Sequence, residues 1–360
     1  MRIKSDKRNA IFSRKNKYNM NREVFAKRLE GIQIQEGADP RILYESVLPL
    51  CDALTLMMPQ SLFRYRSCNE KQIDAFQKDT IYAVSADLFN DPYDTLVRYD
   101  IKSIKNYLDA LLETKTLVQL QKFLKQGNDF IDIEKNLLPN GVVEKIKEQI
   151  LATDFEEKKE SLAAYKRQMM QMIDFLYPLL AEASKRFVSI ACFCESVKSI
   201  TMWSHYADFH KGFALEYEMR PTLTKGIKEG VGLYPVIYDD IRYDASQYMA
   251  WAFLKMLRVN AYNPDVLSHT KCVLHKSKQW EYEKEWRLVD YSTRNYLVEN
   301  VTSVIYKPTA IYYGVHIAND NKERLHTIAK AKGIAEFDMY IDYSSPKYEM
   351  MYKSHESSTD

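Results

Sequence analysis

The chain has 360 residues, 46% hydrophobic and 28% charged, with a formal net charge of +2, the profile of a soluble globular protein with room for one large domain or two ordinary ones. No apolar run approaches the ~20 residues of a membrane helix, and the first 22 residues lack the apolar stretch of a secretory signal, so a cytoplasmic protein without membrane contact is expected. The ten glycines include no G-x-G-x-x-G and no G-x-x-x-x-G-K-[ST], which excludes a Rossmann cofactor grip and a P-loop.

Residues 1–22 carry eight Lys and Arg against one acid, a local +7 that leaves −5 for the other 338. Without hydrophobic periodicity, this basic arm reads as disordered, either a contact for nucleic acid or an acidic partner, or simply a solubilising tail. Residues 23–60 form a helical extension. There Val24, Phe25, Leu29 and Ile32, then Leu43, Val47, Leu48, Cys51 and Leu54, recur at helical spacing, with Asp39-Pro40 as a helix start. A single α+β domain is expected over 61–352. Its first strand, 62–66, puts Arg64 and Arg66 on one face; Asn69 caps a short helix; a strand at 81–85 ends on Ser85. Phe89-Asn90-Asp91-Pro92-Tyr93-Asp94 is a turn.

From about 100 to 185 the apolar stripes are helical, Ile101, Ile104, Leu108, Leu111 and Leu112 in one and 162–180 in another, which makes a large helical insertion around a loop at Leu138-Pro139-Asn140-Gly141. Strands return at 187–194, 212–217 and 234–238, with a short helix at 199–209. Helices near 245–257 and 264–275 lead into the acidic segment 280–287. Strands at 301–306, 310–313 and 335–343, with a helix at 321–332, complete a mixed layout, and 353–360 reads as a disordered tail.

The acidic segment, Trp280-Glu281-Tyr282-Glu283-Lys284-Glu285-Trp286-Arg287, carries the most chemistry. As a strand it sets Glu283, Glu285 and Arg287 on one face, and Lys284, Trp286 and Leu288 on the other. Paired carboxylates push their pKa values apart and can divide labour; the plain alternative is a solvated face with a cross-strand ion pair. On the helix 199–209, Met202, His205, Tyr206 and Phe209 lie along one side, and such aromatic spacing reads first as core. The five cysteines, Cys192-Phe193-Cys194 among them, fit neither a zinc knuckle nor a redox CxxC and read as reduced, mostly buried thiols. The seven histidines give no HExxH, so no metal is expected.

Four segments together resemble the bacterial domain of unknown function 2971 family: Leu62-Phe63-Arg64-Tyr65-Arg66, Phe89-Asn90-Asp91-Pro92-Tyr93-Asp94, Met202-Trp203-Ser204-His205-Tyr206-Ala207 through Lys211-Gly212-Phe213, and the W-x-x-E-x-E-x-R form of 280–287. The order of a basic first strand, a middle strand and helix, and a late Glu-x-Glu strand is, more distantly, similar to the Arg-Ser-Glu pattern of ADP-ribosyltransferases. That resemblance implies an ADP-ribosyltransferase-like core of two small sheets with NAD as substrate in the cleft between them. It also implies a glycosyl-transferring enzyme, a toxin or antiphage effector, acting on a protein or nucleic-acid acceptor. Arg64 or Arg66 would hold the NAD diphosphate or ribose. Glu285 would stabilise an oxocarbenium-like transition state and Glu283 present the acceptor, with Ser85, Asn90, Asp91, His205 and Tyr206 as further cofactor-binding residues. The middle strand departs from the pattern, with Cys192-Phe193-Cys194-Glu195-Ser196 where Ser-Thr-Ser is expected. The alternatives are a non-catalytic nucleotide-binding or sensing module of the same fold, and a nuclease in which Asp91, Asp94, Glu283 and Glu285 gather Mg²⁺.

Overall fold

A computed structural model describes residues 21–130, 141–156, 159–218, 231–259, 265–290 and 301–355, with the backbone alone at 159, 231 and 301–305. Helices α1 (Arg22–Gly31) and α2 (Pro40–Met57) come first. Asn21 Oδ1 accepts from Val24 N at 3.0 Å, and Asp39 Oδ1 from Arg41 N at 2.7 Å with Pro40 at the first helical position, so both starts satisfy amides that a helix leaves unpaired. Phe25, Leu29, Leu50 and Leu54 then sink into the core that the sheet also uses. Of the basic arm, 1–20 lie outside the described residues, and Arg22 is a helix residue with fixed partners.

Strand β1 (Leu62–Arg66), helix α3 (Glu70–Gln77, capped by Asn69) and strand β2 (Thr80–Ser85) follow, β2 alternating inward and outward along its length. The stripes of 101–184 become α4 (Ile101–Leu111), α5 (Thr114–Lys125), α6 (Val142–Ala152) and α7 (Lys159–Ser184). With α9 (Ser246–Met256) they enclose an apolar cluster of their own, including Ile104, Leu108, Ile146, Ile173 and Phe253. The expected loop at 138–141 lies outside the described residues except for Gly141, which precedes α6.

The remaining elements are β3 (Ser189–Cys194), α8 (Ile200–Tyr206), β4 (Phe213–Tyr217), β5 (Val231–Pro235), β6 (Ile237–Asp239), α10 (Ser268–Leu274), β7 (His275–Ser277), β8 (Glu285–Asp290), β9 (Val301–Ile305), β10 (Ala310–Tyr313), α11 (Asn319–Lys332), β11 (Ala335–Tyr340) and β12 (Met351–Ser354). The chain is a mixed α+β protein. Its strands form one ten-stranded sheet in the order β12-β11-β10-β4-β1-β3-β2-β9, with β8 and then β5 branching from β3; β6 and β7 pair separately. In place of two small sheets, the sheet is continuous and forks.

The fork is at β3. Along one edge β3 pairs with β8 for six residues, from Ser189↔Asp290 to Cys194↔Glu285. Since a strand has two edges, β1 and β2 share the other, β1 touching only at Phe63↔Cys194 and β2 only at Val84↔Ile190 and Ser85↔Ser189. Between those points β1 and β2 diverge.

Four sequence expectations are corrected. Residues 278–283 form a 3-10 helix, Lys284 takes a left-handed φ of 45°, and the strand begins only at Glu285, so Glu283 reaches its place from a turn. The expected strand 234–238 is broken at Val236, whose amide donates to Glu285 O at 3.0 Å. The helix expected at 199–209 stops at Tyr206, because Asp208, Phe209 and His210 all have positive φ; Phe209 is thereby turned out, 70% exposed. The expected tail at 353–360 begins inside β12, whose last residue is Ser354; 356–360 lie outside the described residues.

Candidate active site

The diverging β1 and β2 leave a cleft of about 460 Å³ above the middle of β3, a volume within the range of small-molecule sites. Arg64, Arg66, Asn90, His205, Tyr206, Glu283 and Glu285 all line it, although they come from four separate parts of the chain. Ser85 and Asp91 do not. Ser85 donates to Asp87 and is closed over by the Lys185 carbonyl. Asp91 Oδ1 accepts from Tyr93 N at 2.8 Å, the local bond that builds the turn, and faces a second pocket with Tyr93, Arg242 and Trp280.

One wall is carboxylate. Glu283, Glu285 and Asp94 converge on the ammonium of Lys276, at 2.6, 2.9 and 3.4 Å, all four side chains being buried. Arg287, fully buried behind them, binds Asp94 Oδ2 at 2.7 Å and Glu285 Oε1 at 2.9 Å and donates to the Val273 carbonyl. Three carboxylates thus share two cations. Burial pushes the Glu285 carboxyl up, but Arg287 and then Lys276 outweigh it and hold it well below the ordinary carboxylate range. Burial raises Glu283, with Glu285 adding repulsion against the pull of Lys276, and burial raises Asp94. Tyr206 donates to Glu283 Oε1 at 2.6 Å, while Glu285 N donates to the Tyr238 hydroxyl at 2.7 Å. The solvated-face alternative is therefore overturned: Glu283 and Glu285 are each only 3% exposed.

The opposite wall is cationic. Arg64, 7% exposed, reaches across the fork to donate to the Tyr82 carbonyl at 3.2 Å and lies over the Phe193 ring, while its buried Nε has no acceptor. Arg66 donates to the Tyr65 carbonyl at 3.0 Å. Neither guanidinium pairs with a carboxylate among the described residues. Burial, and for Arg64 the adjacent Arg66, loosen the hold of both on their protons.

His205 stands exposed at the rim, with Tyr282 at hydrogen-bond distance of its Nδ1. Trp203, its neighbour on α8, is core: fully buried, with Nε1 donating to the Val197 carbonyl and its ring edge-on to Tyr65. Cys192 occupies the floor, its thiol pushed up by burial and by Glu285.

Sequence reasoning missed Lys276, the residue on which the acids converge, and set Asp94 beside Glu283 and Glu285 only as a Mg²⁺ ligand in the nuclease alternative. Lys276 belongs to a three-residue strand with no motif of its own; a lysine after the apolar run Val273-Leu274 was the one signal on offer. Among the described residues no helix is long and apolar enough to cross a membrane. No curated protein and no solved structure matches the chain. Residues 202–288, which hold most of α8 and both cleft glutamates, match the family described as "Protein of unknown function (DUF2971)", the family that the four motifs resemble.

Proposed function

We infer that the protein is an NAD-consuming enzyme of ADP-ribosyltransferase type, working in the cleft of the forked sheet. The observation that carries this reading is the pairing of opposite walls: two guanidiniums without carboxylate partners among the described residues face a buried cluster in which carboxylates outnumber cations three to two. A dinucleotide offers both walls what they lack. Its diphosphate suits Arg64 and Arg66 through charge-assisted hydrogen bonds. Its nicotinamide ribose, placed at the other wall, becomes cationic as the glycosidic bond breaks and the electron pair leaves with nicotinamide; a fixed carboxylate in a dry site stabilises that charge far better than water does.

In this reading Glu283, and not Glu285, faces the developing charge. Glu285 has both oxygens engaged by Arg287 and Lys276, whereas Glu283 has one oxygen on Lys276 and the other on a neutral Tyr206 hydroxyl. Glu285 then acts as a positioning residue through Lys276. The Mg²⁺ nuclease alternative is weakened by the same geometry, since an ammonium already stands where three carboxylates meet. The neutralised state of Glu285 favours a second reading, a nucleotide-binding module without turnover.

The test is incubation of the full-length protein with labelled NAD in the presence of protein and nucleic-acid acceptors. Glu283→Gln removes one carboxylate from a cluster that has one in excess, so the fold is kept while nicotinamide release falls on the order of 10²–10³-fold. Unchanged release by the folded variant would overturn the assignment of Glu283. Binding of NAD without release by the wild type would select the binding module.

A further inference from the structure

At the far end of the sheet from β2 and β9, a second group of titratable side chains is gathered. Glu336 and Asp338, two apart on β11, stand on one face of the strand. His355 follows β12 and is fixed by its amide, which donates to the Glu336 carbonyl at 2.9 Å. His326 comes from α11. Its Nδ1 lies 2.8 Å from Glu336 Oε2, and His355 Nδ1 lies 2.7 Å from Asp338 Oδ2. Tyr313 donates to Glu336, and Lys322 pairs with the other oxygen of Asp338 at 2.7 Å. The two imidazole rings are 5.5 Å apart, and one donor atom from each of His326, Glu336 and His355 lies within 4.8 Å of the others.

We propose that His326, Glu336 and His355 form a site for a divalent transition-metal ion of the zinc type. Two imidazoles and a carboxylate are the donor set that suits such an ion, leaving one position for water or a further ligand. Bonds of about 2.0–2.2 Å to a common centre hold donors a little over 3 Å apart, so rotation of an imidazole closes what separation remains. Asp338 fits the outer role. By accepting a hydrogen bond from Nδ1–H of His355 it fixes the tautomer that leaves Nε2 free to bind, as carboxylates do behind metal-bound histidines. Charge points the same way: two carboxylates, Glu336 and Asp338, stand at the group, and the ammonium of Lys322 pairs with Asp338 alone among the ion pairs of the described residues. All three donors are half-buried on packed elements, so little ordering is left for the ion to impose. Its effect would be to tie α11 to the β11–β12 edge.

The experiment uses full-length protein stripped with chelator and titrated with ZnCl₂, read by calorimetry and by thermal denaturation. The wild type binds one ion per chain and melts higher with zinc. His355→Asn and Glu336→Gln weaken binding by at least the ~10–100-fold that loss of even an outer-sphere partner costs and lose the rise in melting temperature, while His316→Asn, outside the group, keeps both. Circular dichroism without zinc shows whether each variant has folded, and either of the two is sufficient. A wild type that does not respond to zinc, or a response that survives both substitutions, would overturn the site.

Discussion

The two walls of the cleft handle burial of charge in opposite ways. On the β8 side, every carboxylate has a cation within 3.4 Å, and Lys276 and Arg287 are each held by at least two acids. On the β1 side, the partners of Arg64 among the described residues are a carbonyl and a ring face, and its buried Nε has no acceptor there. Burying an ion is tolerable when partners replace its water and costly when they do not. The β8 wall is therefore balanced from within, while the β1 wall buries a guanidinium that no carboxylate offsets among the described residues.

The strongest way to break this contrast is Arg287→Met. Removing one partner from a buried charge group leaves the others uncompensated, which typically costs about 3–5 kcal/mol, so urea denaturation should show a loss of that size. A loss under about 1 kcal/mol would mean that the β8 wall is not held by its charges. Arg64→Gln sharpens the comparison from the other side. Since Arg64 has no carboxylate to lose, melting temperature should hold or rise, whereas NAD affinity should fall at least tenfold, the equivalent of one charged hydrogen bond of ~1.5–3 kcal/mol. Affinity unchanged in a folded variant would remove the anion role from this wall. The smallest effect is expected at Asp91→Asn. Asparagine keeps an oxygen for the Tyr93 amide, so stability should drop by about 1 kcal/mol or less, with NAD affinity unaltered because the side chain faces the other pocket. A large loss of affinity there would show that the cleft extends through the turn.

What was legible in the sequence was local. Asn69 and Asp39 announce their helices because a short polar side chain before an apolar run has one obvious use, and β2 alternates as a half-buried strand should. The gathering of Arg64, Asn90, Tyr206, Glu283 and Glu285 was anticipated from motif order rather than from any single motif. Reading 280–287 as one strand failed because Glu283 and Glu285 stand two apart in either case, while the left-handed turn at Lys284 leaves no mark in an alternating pattern. The Lys276 hub was invisible for a different reason: three carboxylates meet it through tertiary packing, and no spacing rule links residue 94 to residue 276. The forked sheet belongs to the same class, since which strands share an edge of β3 depends on long-range pairing that residue patterns do not encode.

Gly212 and Gly314 show how differently a position can be constrained. A Cβ on Gly212 would fall inside the Arg66 carbonyl, and one on Gly314 inside the His210 carbonyl; their own backbones are joined by a 2.9 Å hydrogen bond. Neither glycine is among the residues that line the cleft, yet neither has room for a side chain. A saturation-mutagenesis map of this chain would therefore score both as intolerant as Glu283. Only a second axis, abundance of folded protein beside activity, would separate the positions that make the cleft from those that make use of it.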